Sequence, residues 1–247
     1  MSKSILITGA TSGIGEALAK LAASRGYRVI ACGRNAEKLA ELAQTNGIEI
    51  LQFDVTDAQA TTAALADINC DIAVLNAGTC EYVDIDAIEP DMFKRVFEPN
   101  FFGVVNCVSA LTPQLMAGDQ IVIVDSLARL LPFTRSQAYG ASKAALHYFT
   151  KSIEVDLAHK DVIVQSVSPG FVVTPLTVKN DFEMPMKISV QEAVEDMLAG
   201  IERKSSSIYF PTRFSLILRL LNLLPSTLQK RMCVSMKRSM KRGKRSQ

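Results

Sequence analysis

The chain has 247 residues, of which 48% are hydrophobic and 21% are charged. That composition is typical of a globular protein and excludes collagen-like, low-complexity and wholly disordered chains. The net charge of +2 is unevenly distributed. The first 202 residues hold 15 basic and 25 acidic side chains, a net charge of −10, whereas the last 45 hold 12 basic and no acidic ones. The sequence therefore predicts an acidic body followed by a basic C-terminal segment.

The five cysteines have neither CxxC nor zinc-like spacing, which is typical of reduced thiols in a cytoplasmic protein. No signal-peptide pattern precedes the first apolar run,. No stretch reaches the roughly 18 uninterrupted apolar residues that a membrane-spanning helix requires. We therefore expect a cytoplasmic protein, and the spacing of its histidines and cysteines predicts no metal site.

Short apolar runs alternate along the chain with segments of helical periodicity. The runs are SILIT, YRVIACG, IEILQFD, DIAVLN, QIVIVDS and VIVQSVS, with a weaker SSSIYF near residue 208. Helical patterns lie near 14–25, 35–45, 57–67, 90–116, 136–160 and 189–202. Continuous apolar runs are expected for strands covered by helices on both faces of a parallel sheet. The sequence predicts an α/β fold with a doubly wound, Rossmann-like parallel sheet of about seven strands.

The first strand is followed by TGATSGIGEAL, in which Gly9, Gly13 and Gly15 follow a GxxxGxG spacing. Ligands of such sheets bind beyond the carboxyl ends of the strands. Glycines at a strand-to-helix turn let the backbone approach a pyrophosphate, which then sits on the helix N-terminus. A purely structural tight turn is the alternative, but the position after the first strand favours a dinucleotide site.

The second strand is followed by Gly33-Arg34-Asn35. NAD sites usually have a carboxylate about 20 residues beyond the glycines that accepts from the ribose 2′-hydroxyl. Arg34 stands there instead, and a guanidinium suits the 2′-phosphate of NADP through charge-assisted hydrogen bonds. A solvated surface arginine is the alternative interpretation. The sequence favours NADP(H).

Polar or turn-forming residues also follow the later strands. They are Asp54-Val55 after the third strand, Asn76-Ala77-Gly78 after the fourth, Ser126 after the fifth, and Pro169-Gly170 with Thr174 after the sixth. Tyr139 and Lys143 stand four residues apart in the helix predicted at 136–160. They therefore share one helix face.

Together these motifs resemble a short-chain dehydrogenase/reductase of the compact, single-domain branch. The resemblance covers about residues 4 to 210 and also includes Asn100. It implies a Rossmann-fold domain at 1–210, with residues 211–247 as an amphipathic basic extension. It also implies homo-oligomers, with dimer and tetramer both open.

The resemblance implies a catalytic set of Asn100, Ser126, Tyr139 and Lys143. Tyr139 would exchange a proton with the substrate oxygen, and Ser126 would hydrogen-bond that oxygen. Asn100 would hold a water molecule against Lys143, which would also contact the nicotinamide ribose. A free tyrosine has a pKa of about 10. The ammonium of Lys143 and the charge of the oxidised nicotinamide would therefore be needed to favour the phenolate.

The implied nucleotide contacts cover the turns described above, and the backbone near Val172 and the Thr174 hydroxyl would hold the carboxamide. The full set is Gly9, Thr11, Ser12, Gly13, Ile14, Gly15, Arg34, Asp54, Val55, Asn76, Ala77, Gly78, Tyr139, Lys143, Pro169, Gly170, Val172 and Thr174. The implied activity is NADP(H)-dependent interconversion of a carbonyl and an alcohol by hydride transfer. A non-catalytic, nucleotide-sensing protein of the same fold is the alternative, although the complete catalytic set weighs against it.

The sequence departs from the family pattern after the serine, where it reads Ser126-Leu127-Ala128-Arg129. The sequence leaves two positions open for Arg129: beside the substrate, where it would favour an anionic or phosphorylated head group, or facing solvent or another subunit. His147 and His159 lie on or near the helix of Tyr139 and lack ligand spacing. Both are interpreted as structural.

The C-terminal extension begins with RFSLILRLLNLLP, in which Ser215, Arg219 and Asn222 form a narrow polar stripe along a broad apolar face,. Beyond it lies a segment with both apolar and basic side chains. The apolar ones are Leu228, Met232, Met236 and Met240, and the basic ones are Lys230, Arg231, Lys237, Arg238 and Lys241. Such a segment can lie in an anionic membrane interface, which would favour a hydrophobic or lipid-like substrate. Packing on the body or a partner subunit, with a solvated basic tail, is the alternative. Nucleic-acid binding is not expected, because the body is acidic and no recognition fold is predicted.

Overall fold

The structure, a computed structural model, describes residues 2–178, 180 and 182–243, with side chains described up to residue 236. Its strands are β1 (Ser4–Thr8), β2 (Arg28–Gly33), β3 (Ile48–Gln52), β4 (Ile72–Leu75), β5 (Gln120–Val124), β6 (Ile163–Pro169) and β7 (Ser207–Phe210). All pair in parallel in one sheet of order β3-β2-β1-β4-β5-β6-β7. The prediction of a seven-stranded, doubly wound Rossmann-like sheet is confirmed. Its strand order reverses between β1 and β4.

Helices cover both faces of the sheet. They are α1 (Gly13–Ser24), α2 (Ala36–Ala43), α3 (Ala58–Leu65), α4 (Pro90–Phe97), α5 (Gly103–Leu111), α6 (Gln137–Leu157), α7 (Pro175–Val178), α8 (Val190–Glu202), α9 (Thr212–Asn222) and α10 (Ser226–Gly243). The prediction of one continuous helix at 90–116 is wrong in one respect. A π-helical segment at Glu98–Phe102 separates α4 from α5. Pro99 gives a physical reason: proline has no amide hydrogen, and its ring clashes with the carbonyl four residues earlier.

Each strand supplies apolar side chains to two cores, because successive side chains point to opposite faces of a sheet. In β1, Ile5 and Ile7 enter one core together with α1 and α8, whereas Leu6 enters the other with α5 and α6. All residues of β1 and β5 are buried. This burial on both faces explains the continuous apolar runs of the sequence and holds the carboxyl ends of the strands on one rigid edge.

The helix α9 packs on the body of the protein. Its Leu218 joins leucines of residues 127–131 in one apolar cluster. The predicted polar stripe does not face water throughout, because Ser215 is buried and the Arg219 guanidinium lies 4.6 Å from the centroid of the Tyr209 ring. One of the two arrangements left open by the sequence, packing of the first C-terminal helix on the body, is therefore present. A domain boundary after residue 210 remains a prediction.

The helix α10 is tied to α9 at its start. The side-chain amide of Gln229 donates to the carbonyls of Asn222 (3.0 Å) and Leu224 (2.9 Å), and Cys233 enters the same apolar cluster as Leu218. Of the residues predicted for this segment, Lys237, Arg238, Met240 and Lys241 have side chains outside the described part, whereas Lys230 and Arg231 lie within it and are exposed. Among the described residues, no helix combines the length and hydrophobicity needed to cross a bilayer.

Candidate active site

The candidate site lies beyond the carboxyl ends of β1 and β4. The Thr8 hydroxyl accepts hydrogen bonds from the backbone amides of Asn76 (3.0 Å) and Ala77 (3.1 Å). In return, the Asn76 side-chain amide donates to the carbonyls of Thr8 (3.1 Å) and Gly9 (3.5 Å). Asn76 therefore fixes the turn after β4 against the turn after β1, which gives it a positioning role within the predicted nucleotide site.

The glycine turn between β1 and α1 is too tight for side chains. Gly9 and Gly13 have φ angles of +66° and +57°, and a Cβ on Gly15 would stand 2.3 Å from the Gly9 carbonyl oxygen. Ser12 is the N-cap of α1, but its side chain makes no capping hydrogen bond. Ile14 packs against the core below. The backbone amides in the first turn of α1 therefore have no side-chain cap, and they lie at the positive end of the helix dipole. Such amides favour an anion. The turn therefore fits a pyrophosphate.

The turn after β2 carries a mostly exposed cation beside a carboxylate. Arg34 Nη1 lies 3.1 Å from Asp54 Oδ2, and 75% of the Arg34 side chain is exposed. Burial raises the pKa of Asp54, but hydrogen bonds from the Thr56 amide and hydroxyl and from Arg34 outweigh it, so that this pKa lies below its usual value. Thr11 of the glycine turn packs so closely on Gly33 that a Cβ there would lie 2.6 Å from Thr11 Cγ2. Arg34 thus stands at the edge of the glycine turn with its guanidinium accessible.

The residue after Asp54 anchors the start of α5. Val55 is buried, and its carbonyl accepts from the side-chain amide of Asn106 (2.9 Å). A Cβ on Gly103 would lie 2.7 Å from Val55 Cγ2. The predicted nucleotide contact at Val55 is therefore also a packing contact that holds α5, and the π-helical segment before it, in place.

The side chains of Ser126, Tyr139 and Lys143 are brought together at the ends of β5 and β6. Ser126 hydrogen-bonds with Tyr139, and the Ser126 hydroxyl lies 3.5 Å from the Pro169 carbonyl oxygen. Lys143 Nζ lies 5.9 Å from the centroid of the Tyr139 ring. The Lys143 ammonium donates to the Val124 carbonyl (2.8 Å). Two hydroxyls and one ammonium therefore converge beside the predicted nucleotide site.

Opposing influences act on the pKa of Tyr139 in the protein without nucleotide. Burial raises it, and the hydrogen bond with Ser126 opposes that rise. Burial also lowers the pKa of Lys143 to about 8, against the opposing influence of Asp125 and Cys80. The lowering expected for Tyr139 is not produced by the protein alone, because burial disfavours the phenolate and Lys143 Nζ is directed at the Val124 carbonyl.

Asn100 lies in the π-helical segment and is fully buried. Its side-chain amide donates to the Thr79 carbonyl and the Ser142 hydroxyl, both at 3.0 Å, and its oxygen accepts from the Thr79 amide (2.7 Å). A Cβ on Gly78 would lie 2.8 Å from Asn100 Oδ1 and 3.5 Å from Lys143 Nζ. Gly78 therefore lies between Asn100 and Lys143, and a side chain at residue 78 would clash with Asn100. The implied water relay between these residues remains a prediction.

The loop after β6 returns to the glycine turn. The Gly170 amide donates to the Phe210 carbonyl (2.7 Å). The Thr177 hydroxyl donates to the Val172 carbonyl (2.6 Å) and accepts from the Thr174 amide (2.9 Å). A Cβ on Gly13 would lie 3.4 Å from Thr174 Cβ. The loop thus places Thr174 across the glycine turn, where the sequence predicted a nucleotide contact.

Sequence reasoning missed a buried polar network behind Ser126. The carboxylate of Asp125 is fully buried and is contacted by Arg129 Nε (3.1 Å) and His147 Nδ1 (2.7 Å). The Ser168 hydroxyl donates to the same carboxylate. Arg129, with 9% of its side chain exposed, also reaches the hydroxyls of Ser168 (3.3 Å) and Tyr209 (3.5 Å). The signal available in the sequence was an acid directly after the apolar run of β5.

The position of Arg129 corrects one hypothesis. Its guanidinium is held inside the protein by Asp125 and is not placed to bind an anionic substrate head group. It therefore occupies neither of the two positions considered from the sequence. His147 serves the same network, and His159 Nδ1 lies 2.6 Å from the Asp156 carbonyl oxygen next to α6. Both histidines have local structural partners.

The chain is similar to known proteins over most of its length. The family model for short chain dehydrogenases matches residues 3–184. An uncharacterized oxidoreductase of Myxococcus xanthus is 34% identical over 238 residues, which cover 92% of this chain and 94% of that protein. Serine 3-dehydrogenase of Agrobacterium fabrum is 36% identical over 210 residues, which cover 81% of this chain and 82% of that protein.

A solved structure extends the similarity to three dimensions. A short chain dehydrogenase from Burkholderia cenocepacia in complex with NADP superposes with a TM-score of 0.83 and 28% identity, covering 93% of this chain and 97% of that one. The family model, the curated relatives and the strand order agree. The chain therefore belongs to the short-chain dehydrogenase family and is an oxidoreductase of that family.

Proposed function

We propose that the protein is an NADP(H)-dependent oxidoreductase that interconverts a carbonyl compound and an alcohol by hydride transfer. The observation that carries this proposal is the hydrogen-bonded pair of Ser126 and Tyr139, with Lys143 on the same face of α6. The pair offers a hydrogen-bond donor and a proton donor beside a turn that fits a dinucleotide. The alternative, a non-catalytic nucleotide sensor, has less support because all four residues of the predicted catalytic set are present.

The chemistry divides between the nucleotide and the side chains. The nucleotide, when bound, supplies or accepts the hydride at the substrate carbon. Ser126 holds the carbonyl oxygen by a hydrogen bond, and Tyr139 gives that oxygen a proton as the alcohol forms. Lys143, whose pKa burial lowers to about 8, exchanges protons near neutral pH and returns one to Tyr139. In alcohol oxidation these proton transfers reverse, and Tyr139 is the base.

The residues that would hold the nucleotide lie along one edge of the sheet. The first turn of α1 and the glycine turn would bind the pyrophosphate. Asp54 and Val55 would lie beside the adenosine. The loop of Val172 and Thr174 would hold the nicotinamide end next to Tyr139. Support for this path comes from the close approach of Thr174 to Gly13 and of Asn76 to Gly9.

NADP(H) rather than NAD(H) is supported by Arg34 and by the similar Burkholderia protein in complex with NADP. We expect Arg34→Ala to raise the KM for NADPH about 10- to 100-fold, because charge-assisted hydrogen bonds to the 2′-phosphate are lost. The KM for NADH should change by no more than about twofold, since NADH has no phosphate there. Steady-state kinetics with both nucleotides measure this difference.

Arg28→Ala is the matched control, because Arg28 is also an exposed arginine of β2 paired with a carboxylate, Glu49, at 3.2 Å. It stands at the opposite end of β2 and should leave both KM values unchanged. Equal effects of Arg34→Ala on NADPH and NADH would remove the argument for a 2′-phosphate contact.

An apolar substrate is supported by the aromatic residues near Tyr139. Burial raises the pKa of Tyr82, and nearby Cys80 and Tyr139 add to this rise. The Tyr82 ring packs edge-on against Phe182, with ring centroids 5.5 Å apart. Phe182 in turn lies 6.0 Å from Phe171. Arg129 is buried in its own ion pair, and the aromatic rings would contact the substrate. We therefore propose aromatic or long-chain ketones and the matching alcohols.

A ketone panel tests the proposed reaction. NADPH oxidation at 340 nm, about the absorption maximum of the reduced nicotinamide, should be fastest with aryl and long-chain ketones. Small polar ketones should show a lower kcat/KM, since a pocket lined by apolar rings leaves their polar groups unpaired. L-serine with NADP tests the activity of the Agrobacterium relative. Tight NADPH binding without turnover on any carbonyl or alcohol would favour the nucleotide-sensing alternative.

The proposal includes a homo-oligomer, dimeric or tetrameric, and a cytoplasmic location. Support for self-association comes from large apolar side chains that α6 and the segment before α5 leave exposed, namely Phe102, Tyr148 and Val155. Support for the location comes from the spacing of the five cysteines, all of which are free thiols,.

A further inference from the structure

The outward side of α9 is an apolar surface that the body does not cover. Leu216, Ile217, Leu220 and Leu223 have 54%, 43%, 57% and 80% of their surfaces exposed. Spacings of three and four residues place them on one side of the helix. The inward side of α9 already uses Leu218 to join the cluster with residues 127–131. We call the four exposed residues the α9 apolar face.

Cations surround this face. Arg213 is exposed and, three residues before Leu216, lies on the same side of α9,. On α10, Lys230 and Arg231 are exposed next to the exposed Leu228. All 12 charged side chains after residue 202 are basic. An apolar face in a segment whose charged side chains are all basic matches the physical character of an interfacial segment on anionic lipid,.

We propose that the α9 apolar face and the basic residues of α9 and α10 dock the protein on the surface of an anionic phospholipid bilayer. A second copy of the chain is a poorer occupant, because a symmetric contact would bring identical positive charges together. Crossing of the bilayer is not involved, since no helix within the described residues is long and apolar enough. The helices would lie in the interface plane, with leucines entering the acyl boundary and cations at the head groups.

This docking deepens the proposed function and rests on it for its biological consequence. Phe214 of α9 packs against Phe171, with ring centroids 5.7 Å apart, and Phe171 leads through Phe182 to Tyr82 near Tyr139. A Cβ on Gly170 would lie 3.0 Å from Phe214 Cδ1. The docking surface therefore adjoins the aromatic side of the candidate site. A substrate dissolved in the bilayer would have a short apolar path to Tyr139.

The test uses the full-length protein and co-sedimentation with vesicles. One set contains phosphatidylcholine with about 30% phosphatidylserine, and the other contains phosphatidylcholine alone. Wild-type protein should sediment with the anionic vesicles, and raising the salt to about 0.5 M should reduce this binding. The apolar variant L216S/L220S/L223S and the charge variant R213Q/K230Q/R231Q should each lower the partition coefficient at least about 10-fold.

The control variant I85S/I88S/M116S removes three exposed apolar side chains elsewhere on the surface. It should bind vesicles like the wild type. All variants should keep the wild-type melting temperature, and they should keep the wild-type rate with a water-soluble ketone, since none of these residues touches the candidate site. This soluble assay reports on the proposed function independently of docking.

Three outcomes would overturn the docking proposal. The first is failure of the wild-type protein to bind anionic vesicles at low salt. The second is equal vesicle binding by the apolar variant. The third is a fall in the mass measured by light scattering for the apolar variant with vesicle binding unchanged, which would identify a second copy as the occupant. Vesicle binding in a protein that turns over no carbonyl would preserve the docking surface and reject only the proposed reaction.

Discussion

Tyr139→Phe is expected to lower kcat/KM for ketone reduction at least about 10³-fold. Phenylalanine keeps the ring but removes the hydroxyl that pairs with Ser126, so the substrate oxygen loses its proton donor. The Kd for NADPH should stay within about twofold of the wild type, because the glycine turn and Arg34 are untouched. Steady-state kinetics and fluorescence titration with NADPH measure the two quantities.

Tyr148→Phe is the matched control for this change. Tyr148 lies on the same helix, α6, but 80% of its surface is exposed. Its loss of a hydroxyl should leave kcat/KM unchanged. Near wild-type turnover by Tyr139→Phe would mean that another group donates the proton, and the proposed mechanism would be wrong.

Lys143→Met is expected to abolish turnover and also to stabilise the folded protein at pH 7. Burial lowers the pKa of Lys143 from 10.5 to about 8, so folding at neutral pH must bury an unfavourable charge. Its removal should contribute on the order of 3 kcal/mol. Loss of the hydrogen bond to the Val124 carbonyl should cost about 1 kcal/mol,. The net gain of about 2 kcal/mol corresponds to roughly 5 °C in Tm.

The gain has a defined dependence on pH. Between the folded pKa of about 8 and the unfolded pKa of 10.5, the unfolded wild-type chain binds more protons than the folded one. Wild-type stability attributable to Lys143 therefore rises with pH across this window. The advantage of Lys143→Met should be full below pH 8 and should reverse by pH 10.5, where only the cost of the lost hydrogen bond is left,. Denaturant melts of both proteins at several pH values measure it.

Lys160→Met provides the comparison, because Lys160 is an exposed lysine in the turn that follows α6. It should show no advantage that varies across this pH range. A Lys143→Met protein that is less stable than the wild type at pH 7 would contradict the assignment of an unfavourable buried charge. Lys143→Met would thus gain stability while it loses activity. Active sites commonly keep a side chain that the reaction needs although it lowers the stability of the fold.

The sheet and the glycine turn were predictable because their causes are local. Short continuous apolar runs, such as Ile5–Ile7 in β1 and Ile121–Val124 in β5, favour a strand buried on both faces. The close approach of Gly15 to the Gly9 carbonyl likewise explains why glycines are needed there. The break in the helix predicted at 90–116 also had a local cause in Pro99. The hydrophobic pattern of a long helical segment does not reveal one extra residue in a single turn, as in the π-helical segment here,.

The electrostatics of the site were not predictable, because they depend on burial. The sequence shows Lys143 one helical turn from Tyr139, but it does not show that the ammonium is directed at Val124 or that both groups lose solvent. The ion pair of Asp125 and Arg129 has the spacing of many exposed helix pairs. Only the packing of β5 and β6 around it reveals that its carboxylate is fully buried,.

The helix α9 shows a different limit of prediction from sequence. Its sequence showed one polar stripe and one apolar face, and the usual expectation is that the apolar face packs inward. In the structure a second set of apolar residues, with Leu218 and Phe214, contacts the body and leaves Leu216, Leu220 and Leu223 outside. Periodicity gives the angular distribution of side chains, but only tertiary contacts decide which side is covered.

The apolar cluster shared by α9 and the loop after Ser126 has a consequence for biosynthesis. A chain growing on a ribosome folds its N-terminal parts first, so the sheet and α6 can assemble before Leu218 and Phe214 have been released. Leu127, next to the serine, and Gly170 gain their last packing partners only after Phe214 and Leu218 have left the ribosome. We expect a chain that stops after residue 210 to bind nucleotide but to present a poorly ordered serine, so that catalytic competence requires α9.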